Sequence, residues 1–176
     1  MKSTLLRASM LLGASLFAVP ALAQDTDAFY VKTTVAPFCS QIAANSDPMN
    51  LGSLTGATGQ LVAEFAAGDT SRELSSSFYC NAPSRVTIVA EPLETVNSTT
   101  DTSSFTSRVD YTAALAWSNV QGQVSSTDTD GTLIEAAQAN IGTLTLTLSN
   151  PTVANNLRPV AGDYSGLVTV SIALAQ

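Results

Sequence analysis

Two cysteines, fourteen carboxylates and no histidine define the chemistry open to this 176-residue chain. Without an imidazole there is no Ser-His-Asp or Cys-His relay, no His-containing zinc site, and none of the commonest general base. No nucleophile elbow, phosphate loop or dinucleotide fingerprint occurs. Paired carboxylates are the one acid/base device left, as in glycoside hydrolysis. Most of them, however, lie in Ser/Thr-rich stretches, with only Trp117 and four tyrosines to line a sugar cleft. Solvated surface charge is the better reading for each. The run Asp128-Thr129-Asp130-Gly131-Thr132 opens with the spacing of a calcium loop. It lacks a bidentate glutamate at the twelfth position, Glu135 being too near. A hairpin turn on Asp130-Gly131 accounts for it better. No catalytic residue, metal ligand or cofactor is assigned, and the chain reads as a non-enzyme.

The first residues speak to compartment instead. Lys2 and Arg7, an apolar run from Ala8 to Val19, then Pro20 and Ala21-Leu22-Ala23 have the layout of a secretory signal peptide covering residues 1–23. The run is short for crossing about 30 Å of hydrocarbon, and no later segment is apolar enough to do so. Cleavage before Gln24 leaves five Lys/Arg against fourteen Asp/Glu, a net charge of −9. Such an acidic chain argues against nucleic acid or anionic lipid as a partner. In an exported protein Cys39 and Cys80 read as one disulfide. Closing that loop contributes about 4 kcal/mol in the chain-entropy account.

The elements that must position these residues are strands. Phe29, Val31, Thr33 and Val35 alternate with Tyr30, Lys32 and Thr34, and Pro37 breaks the run just before Cys39. A short strand is expected over 49–54, strand or helical turn over 61–69, and a strand over 86–90. Val109, Tyr111, Ala113, Leu115 and Trp117 mark another, and Leu144, Leu146 and Leu148 a third. Residues 94–107 hold almost nothing apolar and read as an exposed loop; 121–132 read as loop or hairpin, and 133–140 as a helical turn. At the end of the chain, Tyr164, Val168, Val170, Ile172 and Leu174 alternate in a strand expected over 162–174. About seven or eight short strands divided by Gly, Pro, Asn and Ser indicate an all-β, antiparallel β-sandwich in a single domain over 39–176. A long apolar strand ending the chain is a sticky edge unless something pairs with it.

Several of these stretches, taken in order, carry a resemblance. They are the alternating strand ending at Cys39, Leu51-Gly52-Ser53-Leu54, Cys80 with a short turn and a Val-x-Ile strand, and Gly162-x-Tyr164-x-Gly166-x-Val168-x-Val170. From about residue 29 to 174 the set resembles the spore coat protein U domain, a family that includes the pilins of archaic chaperone–usher pili. Tyr111 and Trp117 match its central region loosely. Gly166 stands where an aspartate is usual, and Thr33 where a larger apolar plug is. The resemblance implies an immunoglobulin-like, pilin-like sandwich that lacks its final strand and is completed by another chain. Residues 24–38 would then be an N-terminal extension, the donor, with Phe29, Val31, Thr33 and Val35 as plugs. Gly162, Tyr164, Val168, Val170, Ile172 and Leu174 would form one wall of the acceptor groove. It also implies a periplasmic chaperone, an outer-membrane usher and neighbouring subunits as partners, with passage through the periplasm to the cell surface. Head-to-tail joining of this kind is non-closing and makes a fibre or coat.

Three other readings stay open at this point. Residues 29–35 can be the first strand of a complete sandwich, and 168–174 can pair within the chain. Tyr164 can be a corner tyrosine that packs without binding. The protein would then be a self-contained secreted module that recognises a glycan or surface partner through 94–107 and 121–132.

Overall fold

The structure is a computed structural model that describes residues 27–42, 47–66 and 68–175. The expected signal peptide and residues 24–26 of the expected extension lie outside the described residues. In chain order the strands are β1 (Ser71–Cys80), β2 (Ser84–Ala90), β3 (Leu93–Glu94), β4 (Phe105–Thr106), β5 (Arg108–Trp117), β6 (Val120–Ser125), β7 (Thr132–Ala136), β8 (Asn140–Thr152), β9 (Arg158–Pro159) and β10 (Val168–Leu174). A 3-10 turn, Ala154–Asn156, precedes β9. The fold is all-β, and no described helix is long and apolar enough to cross a membrane.

Alternation along the strands builds two facing sheets. The larger has the order β1-β8-β5, with β3 and β6 sharing the far edge of β5; the smaller has the order β10-β2-β7. Every pairing in both is antiparallel. From the larger sheet, Phe78, Tyr111, Leu115, Trp117, Leu144 and Leu146 point inward, and Val86, Ile88 and Ile134 meet them from the smaller. Burying each such side chain contributes about 1.5–3 kcal/mol. The Trp117 and Phe78 rings meet edge-to-face at 5.0 Å, and the Trp117 indole N–H donates to the Phe78 carbonyl at 3.1 Å. The core thus satisfies the polar atom of its largest residue.

Several local expectations differ from what the chain does. Thr132–Ala136 is a strand, not a helical turn: Ile134 and Ala136 face the core, while Glu135 faces out beside Arg85 at 3.0 Å. Pairing with β2 overrides the helical flavour of Glu135-Ala136-Ala137. Asp130-Gly131 does not close a hairpin within one sheet, because β6 belongs to the larger sheet and β7 to the smaller. Gly131 takes φ +73° there, and a Cβ would lie 2.6 Å from the Ile88 carbonyl oxygen. Residues 49–54 form no strand. An isolated bridge pairs the next residue, Thr55, with Leu61, the Val62 N–H donates to the Leu54 carbonyl at 3.0 Å, and Leu51, Leu54 and Leu61 rest half-buried against the core.

The compact unit that holds these sheets begins at Val35. Residues 27–34, described by themselves, form no helix or strand.

Candidate functional site

Strand β10 is the last of the smaller sheet. It pairs with β2 over seven consecutive residues, from Val168 opposite Ala90 to Leu174 opposite Ser84, with no register shift. Among the described residues nothing pairs with its other edge. The hydrogen bonds just beyond the two ends of the ladder settle which backbone groups are free. The Glu91 N–H donates to the Leu167 carbonyl at 2.8 Å, and the Ala175 N–H donates to the Pro83 carbonyl at 2.9 Å. In an antiparallel pair the bonded residues alternate. Residues 167, 169, 171, 173 and 175 therefore bond to β2. The N–H and C=O groups of Val168, Val170, Ile172 and Leu174 point away from it, to the open edge.

Those four residues also turn their side chains inward. Each is half-buried, whereas Thr169, Ser171 and Ala173 between them are exposed. Val168, Val170 and Ile172 rest against the core without being covered by it. The layering explains why. Across the core β7 contacts β6 and β2 contacts both β6 and β5, and β10 lies on the far side of β2 from β7. Among the described residues no strand of the smaller sheet stands beyond it. The site is thus a strip of apolar side chains bordered by four residues' worth of unpaired backbone.

Two of the other edges, those of β1 and β7, are blunted in familiar ways. The β1–β8 ladder slips twice, between Glu73 and Ser75 and between Ser75 and Phe78, and such irregularities spoil an edge for pairing. The far end of β1 is covered: the Ser40 N–H donates to the Tyr79 carbonyl at 2.8 Å, and Cys39 bridges to Cys80. Strand β7 is short and carries Glu135. Strand β10 has no charge, proline or bulge.

Gly162 and Tyr164 do not belong to this strand, which begins at Val168 rather than at 162. The Tyr164 hydroxyl donates to the Val160 carbonyl at 2.9 Å and lies 3.2 Å from that of Thr106. Burial raises its pKa. Its role is to tie loops together. Ser165 and Glu94 exchange backbone hydrogen bonds of 3.0 and 2.9 Å, which joins that segment to β3 of the larger sheet. The chain then switches sheets at Gly166, where a Cβ would lie 2.7 Å from the Pro92 carbonyl oxygen and 2.9 Å from that of Glu91. A cleft of about 670 Å³, lined by Glu91, Glu94, Ser165 and Leu167 among others, opens beside this switch.

At the other end of the chain, Phe29, Val31 and Val35 are 82%, 94% and 83% exposed, and Thr33 is exposed as well. None of the four lies in a strand. The cysteines do come together, as a Cys39–Cys80 disulfide with Cα atoms 4.0 Å apart.

The loops singled out for recognition are ordered by local hydrogen bonds and tied to the body at a few points, while residues 101–105 stay exposed. Asp101 accepts from the Ser103 hydroxyl and amide at 2.7 and 3.1 Å and from the Ser104 amide at 3.2 Å. These bonds, that of the Ser103 side chain foremost, hold its carboxyl below the ordinary aspartate range. Asn97 donates to the Ala161 carbonyl at 2.7 Å, and β4 pairs in parallel with β9. In 121–132, buried Ser126 accepts from the Tyr111 N–H at 2.9 Å and sits 3.2 Å from Asp110. Among the described residues, no group of three His, Cys, Asp or Glu side chains is placed to hold a metal.

The free backbone groups of β10 were not legible from periodicity alone. Alternation tells which side chains share a face; which carbonyls are free depends on the partner strand and its register. Comparison with protein-family models, with curated proteins and with solved structures finds no match for this chain.

Proposed function

We propose that this protein is an exported structural subunit of a surface fibre or coat, joined head-to-tail by strand donation. The observation that carries the reading is the open edge of β10, where unpaired backbone and half-covered apolar side chains occur on the same residues. A soluble protein keeps such an edge only if something fills it, and an added strand satisfies both halves at once. The fold then reads as an immunoglobulin-like, pilin-like sandwich lacking one strand. The exposed residues Phe29, Val31, Thr33 and Val35 have the period of a strand whose one face fills a groove. The ordered likeness to the spore coat protein U domain supports the same conclusion from the residues quoted above. A periplasmic chaperone would guard the edge in transit, and an outer-membrane usher would pass the subunit to its neighbour.

Hydrogen exchange tests this residue by residue. In the isolated subunit the amides of Thr169, Ser171 and Ala173 exchange slowly, and those of Val168, Val170, Ile172 and Leu174 exchange as free amides. On assembly the second set becomes protected too. Protection of all seven in a monomer would overturn the proposal, and would favour a self-contained module.

A further inference from the structure

We infer that Phe38, Tyr79 and Ile141 form a second contact surface for the neighbouring copy of this chain, at the root of the N-terminal extension, with Asn81 as the residue that positions it. The inference rests on the strand-donation reading above. Phe38, Tyr79 and Ile141 are 50%, 40% and 65% exposed. They are contiguous: the Phe38 and Tyr79 rings lie 5.9 Å apart, and Tyr79 is directly opposite Ile141 in the β1–β8 ladder. Beyond Ile141 the same outer face continues with Thr143, Thr145 and Thr147, so the apolar group ends there. Single exposed apolar residues are ordinary, but an aromatic pair backed by isoleucine in a polar field marks a contact.

This patch is also held rigidly. Asn81 accepts from the Phe38 N–H through Oδ1 at 2.7 Å, donates from Nδ2 to the Ala36 carbonyl at 3.0 Å, and donates its own N–H to the Phe38 carbonyl at 3.0 Å. The Tyr79 N–H donates to the Ser40 hydroxyl at 2.9 Å, and the disulfide lies between these two clamps. Pro37 adds a fixed φ in the middle. Two of these three bonds come from the Asn81 side chain and are lost in Asn81→Ala, while its backbone bond to Phe38 remains.

Chain length identifies the occupant. Only Ala36 and Pro37 separate Phe38 from Val35, the last plug of the donor. Three residue steps span at most about 11 Å. When Val35 is seated in a neighbour's groove, Phe38 and the side chains fixed to it are therefore brought against that neighbour's surface. The partner is a second copy, and its contact adds to the strand already inserted.

The test compares filaments of the unaltered protein with those of Phe38→Ser/Ile141→Ser and of Asn81→Ala, diluted into moderate urea and followed by light scattering. Both changed residues of the double variant are at the surface, so the subunit itself folds with an unchanged melting temperature. Both variants still assemble, with Val170 and Ile172 amides protected. Filaments of the double variant dissociate at least about tenfold faster, the scale of removing apolar side chains from an interface, and those of Asn81→Ala dissociate faster than the unaltered ones. Equal dissociation rates, with the same protection, would overturn the second contact and leave strand donation standing. If the unaltered protein neither assembles nor gains protection at Val170 and Ile172, both proposals fail together.

Discussion

At the scale of single residues, two positions show how tightly the ends of the sandwich are closed. Gly166 has backbone carbonyl oxygens within 3 Å of where a Cβ would stand, at Pro92 and Glu91. Gly166→Ala is expected to lower stability by about 1–3 kcal/mol, since fixed backbone has to give way; urea unfolding measures it. Tyr111 is 3% exposed and meets the Phe65 ring edge-on at 6.4 Å. Burial, helped by the Glu91 carboxylate, pushes its pKa up to about 12. A phenol whose folded pKa lies above its unfolded value of about 10 stabilises the fold fully below that pH. The contribution declines as pH rises from about 10 to about 12, by at most about 1.4 kcal/mol per pH unit. The difference in unfolding free energy between the unaltered protein and Tyr111→Phe is therefore expected to be constant up to pH 10 and to shrink above it. A constant difference through pH 12 would contradict the assignment.

At the scale of elements, legibility depended on what an element pairs with. Strands β5 and β8 stand in the middle of the larger sheet, and their alternation, Val109 to Trp117 and Leu144 to Leu148, appears directly in the sequence. Strand β7 does not show itself this way, because a run of only five residues leading into Ala136-Ala137 becomes a strand only once β2 supplies its ladder. Tyr164 keeps the period of β10 in sequence but lies outside it, drawn away by Thr106 and Val160. The disulfide joins an irregular segment to a strand end across a sequence separation of 41. Cys39→Ser/Cys80→Ser is expected to cost about 4 kcal/mol, mainly through the freer unfolded chain. Thermal unfolding with and without reductant checks this, and the variant should match the reduced protein.

At the scale of the whole molecule, the division at Val35 carries a sharp expectation. Residues 27–34 contribute no strand to the sheets and Phe29 and Val31 contribute no burial. Deleting residues 24–34 from the exported chain should leave the melting temperature of the domain within a degree or two and abolish assembly. Loss of a core strand would instead unfold it, because several buried apolar side chains would be lost together. Circular dichroism and light scattering on the same sample separate the two results.

By itself the sequence determined the all-β class, the faces of the central strands and the single cysteine pair, since these follow from period-2 patterning and from counting. Only the tertiary structure decided that the terminal strand begins at Val168, that residues 133–136 are a strand, and that the free groups of the edge belong to Val168, Val170, Ile172 and Leu174. Periodicity assigns a side chain to a face. It carries no information about which neighbour occupies the ladder beside it, and that neighbour lies more than seventy residues away in the chain.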